Sequence, residues 1–176
     1  MCMVPLSRFR ECISSAVMEL ERCLGMVGCG MALSGAWNPG YKGTLGAETP
    51  VSLTSRVLFL PMVELLGYGR PEFDGDMERV PGTAMAMVPM NRPLDTALRS
   101  MMTHLRCSDD ITCIVTDGVV WILIVRGQQG PKVDSVHDLR GYYMHALDEH
   151  RFRTGISMDF SSAEVFLGRL DASRRT

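Results

Sequence analysis

A cluster of acidic residues is the first feature of this sequence that could support chemistry. Asp74, Asp76 and Glu78 follow one another at two-residue steps, and Glu72 precedes them by the same step. Carboxylate oxygens are the ligands that Mg²⁺ prefers, and a bound Mg²⁺ can activate water for attack on a phosphodiester. The cluster is therefore a candidate metal site, although an acidic loop that faces solvent gives the same pattern.

Three arginines form a second candidate site. Arg92, Arg99 and Arg106 follow one another at seven-residue steps, which places them near one side of a helix and its entrance. A guanidinium group binds phosphate through paired hydrogen bonds, so this row is a candidate nucleic-acid contact. The alternative is a solvated helix face whose arginines pair with neighbouring acids such as Asp95.

The cysteines and histidines give no recognisable ligand pattern. The six cysteines include no Cys-x-x-Cys pair, and the four histidines show no ligand spacing with them, so no zinc site is predicted. His104 and Cys107 are a conceivable nucleophile pair, but only their closeness in the chain supports it. Trp37 and Tyr41, in a glycine-rich stretch, are suited either to stacking on a base or to packing on the core.

Composition places the chain among globular proteins. It has 176 residues, of which 46% are hydrophobic and 22% charged, which predicts one domain with its own core. The formal net charge of -2 excludes a uniformly basic nucleic-acid-coating protein but not one with a basic patch. Charged residues interrupt every apolar stretch, so neither a signal peptide nor a membrane-spanning helix is predicted. We expect a cytoplasmic protein without membrane contact.

Helical patterns dominate the first third of the chain. Apolar residues recur at three- and four-residue steps over 5–33, which predicts a long helix that stops between residues 25 and 30, where glycines occur. Thr49-Pro50 predicts the start of a second helix, which Pro61 should kink and Gly67 should end. A weak strand is predicted around Glu72-Phe73.

The remaining elements alternate between strands and helices. An apolar strand over 83–90 precedes a helix over 94–106, and Ile111–Thr116 and Val119–Val125 are the clearest strands. Asp117-Gly118 between them is typical of a two-residue hairpin. A loop over 127–130 and two helices, at about 138–148 and 162–171, complete the chain, and Ser161 or Ser162 should cap the last helix.

This order predicts a single α/β domain over residues 1–176, with a mixed central sheet of about four strands flanked by helices. It divides into an N-terminal helix and loop (1–46), a core (48–125) and C-terminal helices (126–176). No glycine-rich turn joins a strand to a helix, which argues against a Rossmann unit. The apolar stripe of the first helix can pack on the sheet or form a homodimer contact.

Three stretches, taken in order, resemble a known family. The first contains Glu48-Thr49, Ser55-Arg56 and Leu65-Leu66-Gly67-Tyr68, the second contains Pro81-Gly82 and Val88–Pro93, and the third is Ile114–Leu123. They resemble the N-terminal nuclease domain of type I restriction-enzyme R subunits, a branch of the PD-(D/E)XK nuclease superfamily. The resemblance covers less than half of the chain and implies a restriction-endonuclease-like fold.

The resemblance also implies where the catalytic groups should lie. In that superfamily an acid near one strand and a second acid on the next strand hold Mg²⁺, a lysine two positions further assists the attacking water, and a helix glutamate often completes the site. Glu48 matches the glutamate, and Asp74 or Asp76 matches the first acid. Pro89 and Asn91 stand in place of the second acid and the lysine, and neither can supply a carboxylate or an amine.

These replacements predict a nuclease-like fold that has lost catalysis and needs no cofactor. The first hypothesis is a nucleic-acid-binding or regulatory module, for example of a restriction-modification system, in which the three arginines grip phosphates in the groove that the fold offers DNA. The second is an active Mg²⁺-dependent nuclease with relocated ligands, Glu48 and Asp76 first among them. The third is a protein-protein assembly subunit, and a chance match of a strand running into a proline-started helix is the remaining alternative.

Overall fold

In the computed structural model, helices cover both faces of one mixed β-sheet. The structure describes residues 4–36, 49–74, 77–80 and 83–171. In these segments six strands follow one another in chain order across the sheet: β1 (Glu72–Asp74), β2 (Met77–Val80), β3 (Thr83–Met87), β4 (Thr112–Thr116), β5 (Val120–Gly127) and β6 (Gly130–Asp138). The pair β3 and β4 is parallel, and the other neighbouring pairs are antiparallel.

The helices are α1 (Leu6–Ser34), α2 (Pro50–Leu53), α3 (Leu60–Leu65), α4 (Asp95–Cys107), α5 (Arg140–Phe152) and α6 (Ser161–Leu170), and a π-helical turn (Thr54–Phe59) joins α2 to α3. The predicted mixed α/β class is confirmed. Four strands of five residues or more, β3 to β6, form the body of the sheet, and the short β1-β2 hairpin extends it beside β3.

Strand alternation divides the apolar side chains between two cores. On one face, small residues of β3 such as Ala84 and Ala86 pack with Met101 and Leu105 of α4, which connects β3 to its parallel neighbour β4. On the other face, strand residues join the larger core that α1, α2, α3, α5 and α6 enclose. Trp121 of β5 lies fully buried there, with its ring stacked on that of Phe59 at 6.0 Å.

Helix α1 extends further than its sequence predicts. It continues to Ser34 but is broken at Gly25, whose φ of 71° and ψ of 173° are not helical. Its apolar stripe, including Phe9, Ile13 and Val17, is buried in the chain's own core. The stripe that suggested a homodimer contact is therefore already covered, and a dimer through this helix would have to use its outer face.

The second helical segment agrees with the sequence in its boundaries. The Thr49 hydroxyl accepts a hydrogen bond from the Ser52 amide at 3.1 Å, and Pro50 occupies the first turn. Gly67, at a φ of 81°, ends the segment. Within it the π-helical turn lies just before Pro61, a residue that has no amide proton to donate to the preceding turn.

Three local predictions are wrong. Residues 130–138 form the edge strand β6, so the segment 126–176 contributes a strand as well as helices. Thr116 pairs with Trp121, which makes the β4-β5 connection longer than the two residues Asp117-Gly118. The start of α6 is bound by Asp159, whose carboxylate accepts hydrogen bonds from the amide and the hydroxyl of Ser161 at 2.9 and 3.0 Å, and no serine side chain caps the helix.

Among the residues that the structure describes, no helix combines the length and the apolar character that crossing a bilayer requires.

Candidate functional site

The segment Val88–Arg92 occupies the end of the sheet at which β3 and β4 both finish. β3 is an interior strand, and the Val88 amide still donates to the Thr116 carbonyl of β4 at 2.9 Å. The chain then turns, with the Arg92 amide donating to the Pro89 carbonyl at 3.0 Å. Because β2 is antiparallel to both β1 and β3, Asp74 at the last position of β1 lies toward this same end.

The resemblance implies catalytic groups on two neighbouring strands, but Asp74 does not lie on a strand next to β3. The sequence places Asp74 on the strand next to that of Pro89, but β2 lies between β1 and β3. Two strand spacings separate their backbones by about 10 Å. Asp76, which immediately precedes β2, and Glu48 lie outside the described residues. In the described part of the chain, no group of three histidine, cysteine, aspartate or glutamate residues is placed to hold a metal ion.

Asn91, at the position of the expected lysine, binds the end of helix α1. Its side-chain amide donates to the Ala32 carbonyl at 3.0 Å, and its φ of 64° lies in the left-handed region, which asparagine tolerates better than most residues. The Ala32 carbonyl also accepts from the Gly35 amide at 3.3 Å, so Asn91 adds a second donor to a carbonyl in the last turn of the helix. The side chain of Asn91 therefore fastens α1 to the sheet instead of facing a ligand.

The preceding residue, Met90, fastens the same segment to the second helical region. The Met90 amide donates to the Thr54 hydroxyl at 2.9 Å, and that hydroxyl donates in turn to the Pro50 carbonyl at 2.8 Å. Met90 and Thr54 are both fully buried. Pro89 and Asn91 thus belong to a turn that is held from two sides, and Pro89 contributes no polar side-chain atom to it.

Asp117 is the buried carboxylate of this region, and sequence reasoning assigned it only to a turn. One of its oxygens accepts hydrogen bonds from the amides of Val119 and Val120 at 3.0 and 2.7 Å, and the other faces the Asn91 amide at 3.4 Å. Backbone donors stabilise a buried carboxylate but also occupy its lone pairs. Asp117 therefore holds the end of β4 against the β3 turn and is poorly suited to bind a metal ion.

Gly118 completes this arrangement from the other side. Its carbonyl accepts hydrogen bonds from the Trp121 indole at 3.2 Å and the Tyr143 hydroxyl at 3.5 Å. Burial raises the pKa of the Tyr143 phenol well above its ordinary value, so the hydroxyl keeps its proton and remains a donor. We call this set, Asn91, Asp117 and Gly118 with Ala32 and Thr54, the sheet-end latch.

The latch predicts a graded response to substitution of Asn91. Asn91→Gly keeps the left-handed backbone and loses the bond to Ala32, so we expect the free energy of unfolding to fall by about 1 kcal/mol. Asn91→Ala adds backbone strain and should cost about 2 kcal/mol. Asn91→Lys, which restores the family residue, should behave like alanine. Urea unfolding measures all three, and equal stability of the glycine and alanine variants would contradict the assignment.

The three arginines do not converge on this end of the sheet. Arg92 lies beside the latch, but α4 carries the chain back toward the start of β4, so Arg99 and Arg106 lie progressively further away, about 10 Å apart along the helix. The arginines therefore do not surround Pro89 and Asn91 together, and their contact with phosphates stays a prediction. All three are exposed, and in the described segments none of them forms an ion pair.

The acid nearest the end of α4 has another partner. The Asp110 carboxylate lies 2.6 Å from the imidazole of His104. The imidazole of His104 is thus bound to Asp110. Within the described residues no hydrogen bond joins His104 to Cys107, so the structure gives no support to a nucleophile pair of these two residues. The guanidinium groups of Arg99 and Arg106 thus remain directed at solvent along one exposed helix.

A charged cluster joins α1 to the π-helical turn. The Glu19 carboxylate is 2.6 Å from the guanidinium nitrogens of both Arg22 and Arg56, and Arg56 is one of the residues that carry the family resemblance. Hydrogen bonds from Arg22 and then Arg56 lower the pKa of Glu19 to about 2. The cluster borders a groove of about 540 Å³ between α1 and α3.

This shift predicts a pH dependence with a defined sign. Because the pKa of Glu19 falls from 4.5 to about 2 on folding, its contribution to stability is present above pH 4.5 and is lost as the pH falls toward 2. The contribution is small, since Glu19 is partly exposed and both arginines that pair with it face solvent. Urea unfolding should show the difference between wild type and Glu19→Gln shrinking over this range. A constant difference would contradict the pairing, and Glu11→Gln on the same groove is the control.

Fold and latch together define a mixed α/β protein in which hydrogen bonds of the backbone and of side chains close the end of the sheet beside Pro89 and Asn91. Comparison of the chain with protein-family models, with curated proteins and with solved structures found no match.

Proposed function

We propose that this chain is a catalytically inactive, restriction-endonuclease-like domain that binds nucleic acid through the exposed face of α4. The observation that carries the proposal is the row Arg92, Arg99 and Arg106, which is exposed and free of ion pairs within the described residues. Unpaired guanidinium groups gain most from a phosphate, because no protein carboxylate has to be displaced first.

The surroundings of the row favour contact with a phosphate backbone. Thr96 and Ser100 are exposed on the same helix and provide hydroxyl groups near the arginines. Arg99 and Arg106, about 10 Å apart along α4, can reach separate phosphates, and Arg92 lies just before the helix. Since the chain as a whole carries a formal charge of -2, the rest of its surface does not attract nucleic acid uniformly, which should orient α4 toward the ligand.

The state of the sheet end supports the absence of catalysis. The side chain of Pro89 has no atom that could bind a metal ion. The side-chain amide of Asn91 donates to the Ala32 carbonyl, and the Asp117 carboxylate accepts hydrogen bonds from backbone amides. These side chains hold the fold together where the related enzymes, according to the resemblance, hold Mg²⁺. We therefore assign the domain a binding or regulatory role in the cytoplasm, without a metal cofactor, such as that of a recognition module beside an active restriction enzyme.

Incubation with fluorescent duplex DNA, with and without Mg²⁺, tests the proposal. We expect a shifted complex on a native gel in both conditions and intact strands on a denaturing gel. Strand cutting that requires Mg²⁺ and disappears in Asp76→Ala would overturn the proposal in favour of the relocated-ligand nuclease. Absence of any complex at low salt would overturn nucleic-acid binding itself.

One observation favours the third role, that of an assembly subunit. Met26 and Val27, just after the break in α1, are 61% and 76% exposed, and Phe152 at the end of α5 is 67% exposed. The end of α5 adjoins the break in α1, because the Arg151 guanidinium donates to the Met26 carbonyl. Large exposed apolar side chains grouped in this way are typical of protein contacts. Stable self-association in analytical ultracentrifugation, abolished by Val27→Ser, together with an absence of DNA binding, would favour this role.

A further inference from the structure

A second cavity, remote from the latch and from the arginine row, has the properties of a small-molecule site. It has a volume of about 420 Å³ and lies between α1, α5 and the segment 156–160 that leads into α6. Its size falls within the range of ligand pockets in proteins, which are mostly apolar with a few polar groups. Ile13 and Tyr142, both almost fully buried, form part of its apolar lining.

The aromatic wall of this cavity is fixed by its neighbours. The ring of Tyr142 is stacked on that of Phe160 at 5.1 Å and meets the ring of Phe9 edge-on at 5.6 Å. The Tyr142 hydroxyl is hydrogen-bonded to Ser162 at the start of α6. A wall held in this way loses little further conformational entropy when a ligand binds, which favours affinity.

The cation at the rim is Arg10. Arg10 lies with its guanidinium carbon 4.0 Å from the centre of the Phe160 ring, and no carboxylate pairs with it in the part of the chain that the structure describes. A guanidinium stacked on a ring keeps its in-plane N–H donors available for a carboxylate. His145 also borders the cavity, and its ring meets the Phe160 ring at 6.4 Å.

The acidic groups near the cavity already have partners. Glu149 is the acid among the described lining residues, and its carboxylate accepts a hydrogen bond from the Thr154 hydroxyl. Glu21, which faces the nearby His150 at 3.1 Å, is bound by Arg151 at 2.9 Å. The Thr154 hydroxyl occupies an acceptor of Glu149 but does not neutralise it, so the lining carries one anion, Glu149, and one guanidinium, Arg10, and no ion pair joins either to another described residue.

We infer that this cavity binds a small monoanion with an aromatic body, whose carboxylate meets the Arg10 guanidinium while its ring occupies the apolar space beside Tyr142 and Met158. Bidentate pairing with the guanidinium selects the carboxylate, and the preformed aromatic wall selects a planar body. The site is independent of the α4 face, so its failure would leave the proposed function untouched.

Chemical-shift titration of the full chain with 2-naphthoate and with the neutral 2-naphthamide tests this inference. We expect naphthoate to bind and shift α1 and α5 resonances, and naphthamide to bind at least about tenfold more weakly. Arg10→Gln should weaken naphthoate by a similar factor. Arg8→Gln, which lies on the other side of α1 and lines the groove next to α3, should bind like wild type.

A second pair of variants tests whether naphthoate occupies the cavity, without changing any charge. Ser14 lines the cavity, whereas its neighbour Ser15 lines the groove on the other side of α1, and both are exposed. Ser14→Leu should fill the space and abolish binding of naphthoate, and Ser15→Leu should preserve it. Equal binding of the acid and the amide, equal effects within either pair of variants, or no binding of naphthoate at millimolar concentration would overturn the site.

Discussion

Gly118→Ala is expected to lower the free energy of unfolding by about 3 kcal/mol or more, because two penalties add. Gly118 has a φ of 87°, at which alanine is strained by about 1–2 kcal/mol. A Cβ atom there would also lie 2.5 Å from the Cβ of Leu58, a fully buried residue of the π-helical turn. Such overpacking costs about 1–3 kcal/mol. Urea unfolding of the purified variant measures the sum.

Gly155→Ala is the matched control for this substitution. Gly155 also has a positive φ, of 61°, but nothing lies within 4 Å of the Cβ position. It therefore carries the backbone penalty alone, about 1 kcal/mol. Similar losses in the two variants would show that the β4-β5 turn does not press against Leu58 as the structure places it.

Asp117→Ala should have an effect of comparable size, about 3 kcal/mol, since it leaves three backbone amides of a buried turn without their acceptor. Asp117→Asn keeps the oxygen that accepts from Val119 and Val120 and should cost about 1 kcal/mol. Thermal and urea unfolding of both variants measure the difference.

Asp138→Ala provides the reference for an exposed aspartate with a local role. Its carboxylate accepts a hydrogen bond from the Arg140 amide at 2.9 Å at the start of α5, and it is solvated. The loss of this contact should cost about 1 kcal/mol. If Asp117→Ala were no worse than Asp138→Ala, Asp117 would not be the centre of the sheet-end latch.

The helices and strands that could be predicted from the sequence are those whose conformation is determined by their own residues. Two nearly wholly apolar runs predict β4 and β5, and Thr49-Pro50 predicts the start of α2 through a cap and a proline that act locally. The strands it missed, β2 and β6, are short or polar. β2 is a strand because it pairs with β1 and β3, and β6 is a strand because it pairs with β5. These partners lie in other segments of the chain, so the residues of β2 and β6 do not by themselves indicate a strand.

In the candidate site, too, local features could be predicted from the sequence, whereas contacts between distant residues could not. The segment Val88–Pro93 was assigned to the exit of a strand and lies there, but its bonds reach across the fold. Asn91 binds Ala32, 59 residues away, and faces Asp117, 26 residues away. No local pattern encodes such contacts. The seven-residue spacing predicted the arginines along one side of a helix, but Arg92 precedes α4, and the direction in which α4 crosses the sheet takes Arg99 and Arg106 away from the latch.

The salt dependence of DNA binding tests the central claim most directly. If the protein contacts three phosphates, a plot of the logarithm of the DNA-binding constant against the logarithm of the salt concentration should have a slope of about -2.7. Fluorescence anisotropy should show this slope for wild type and a slope reduced in magnitude by about 1.8 for Arg99→Ala/Arg106→Ala. Arg8→Ala/Arg70→Ala removes the same charge from exposed positions outside α4 and should keep the wild-type slope. Equal slopes for the two double variants would contradict binding through α4.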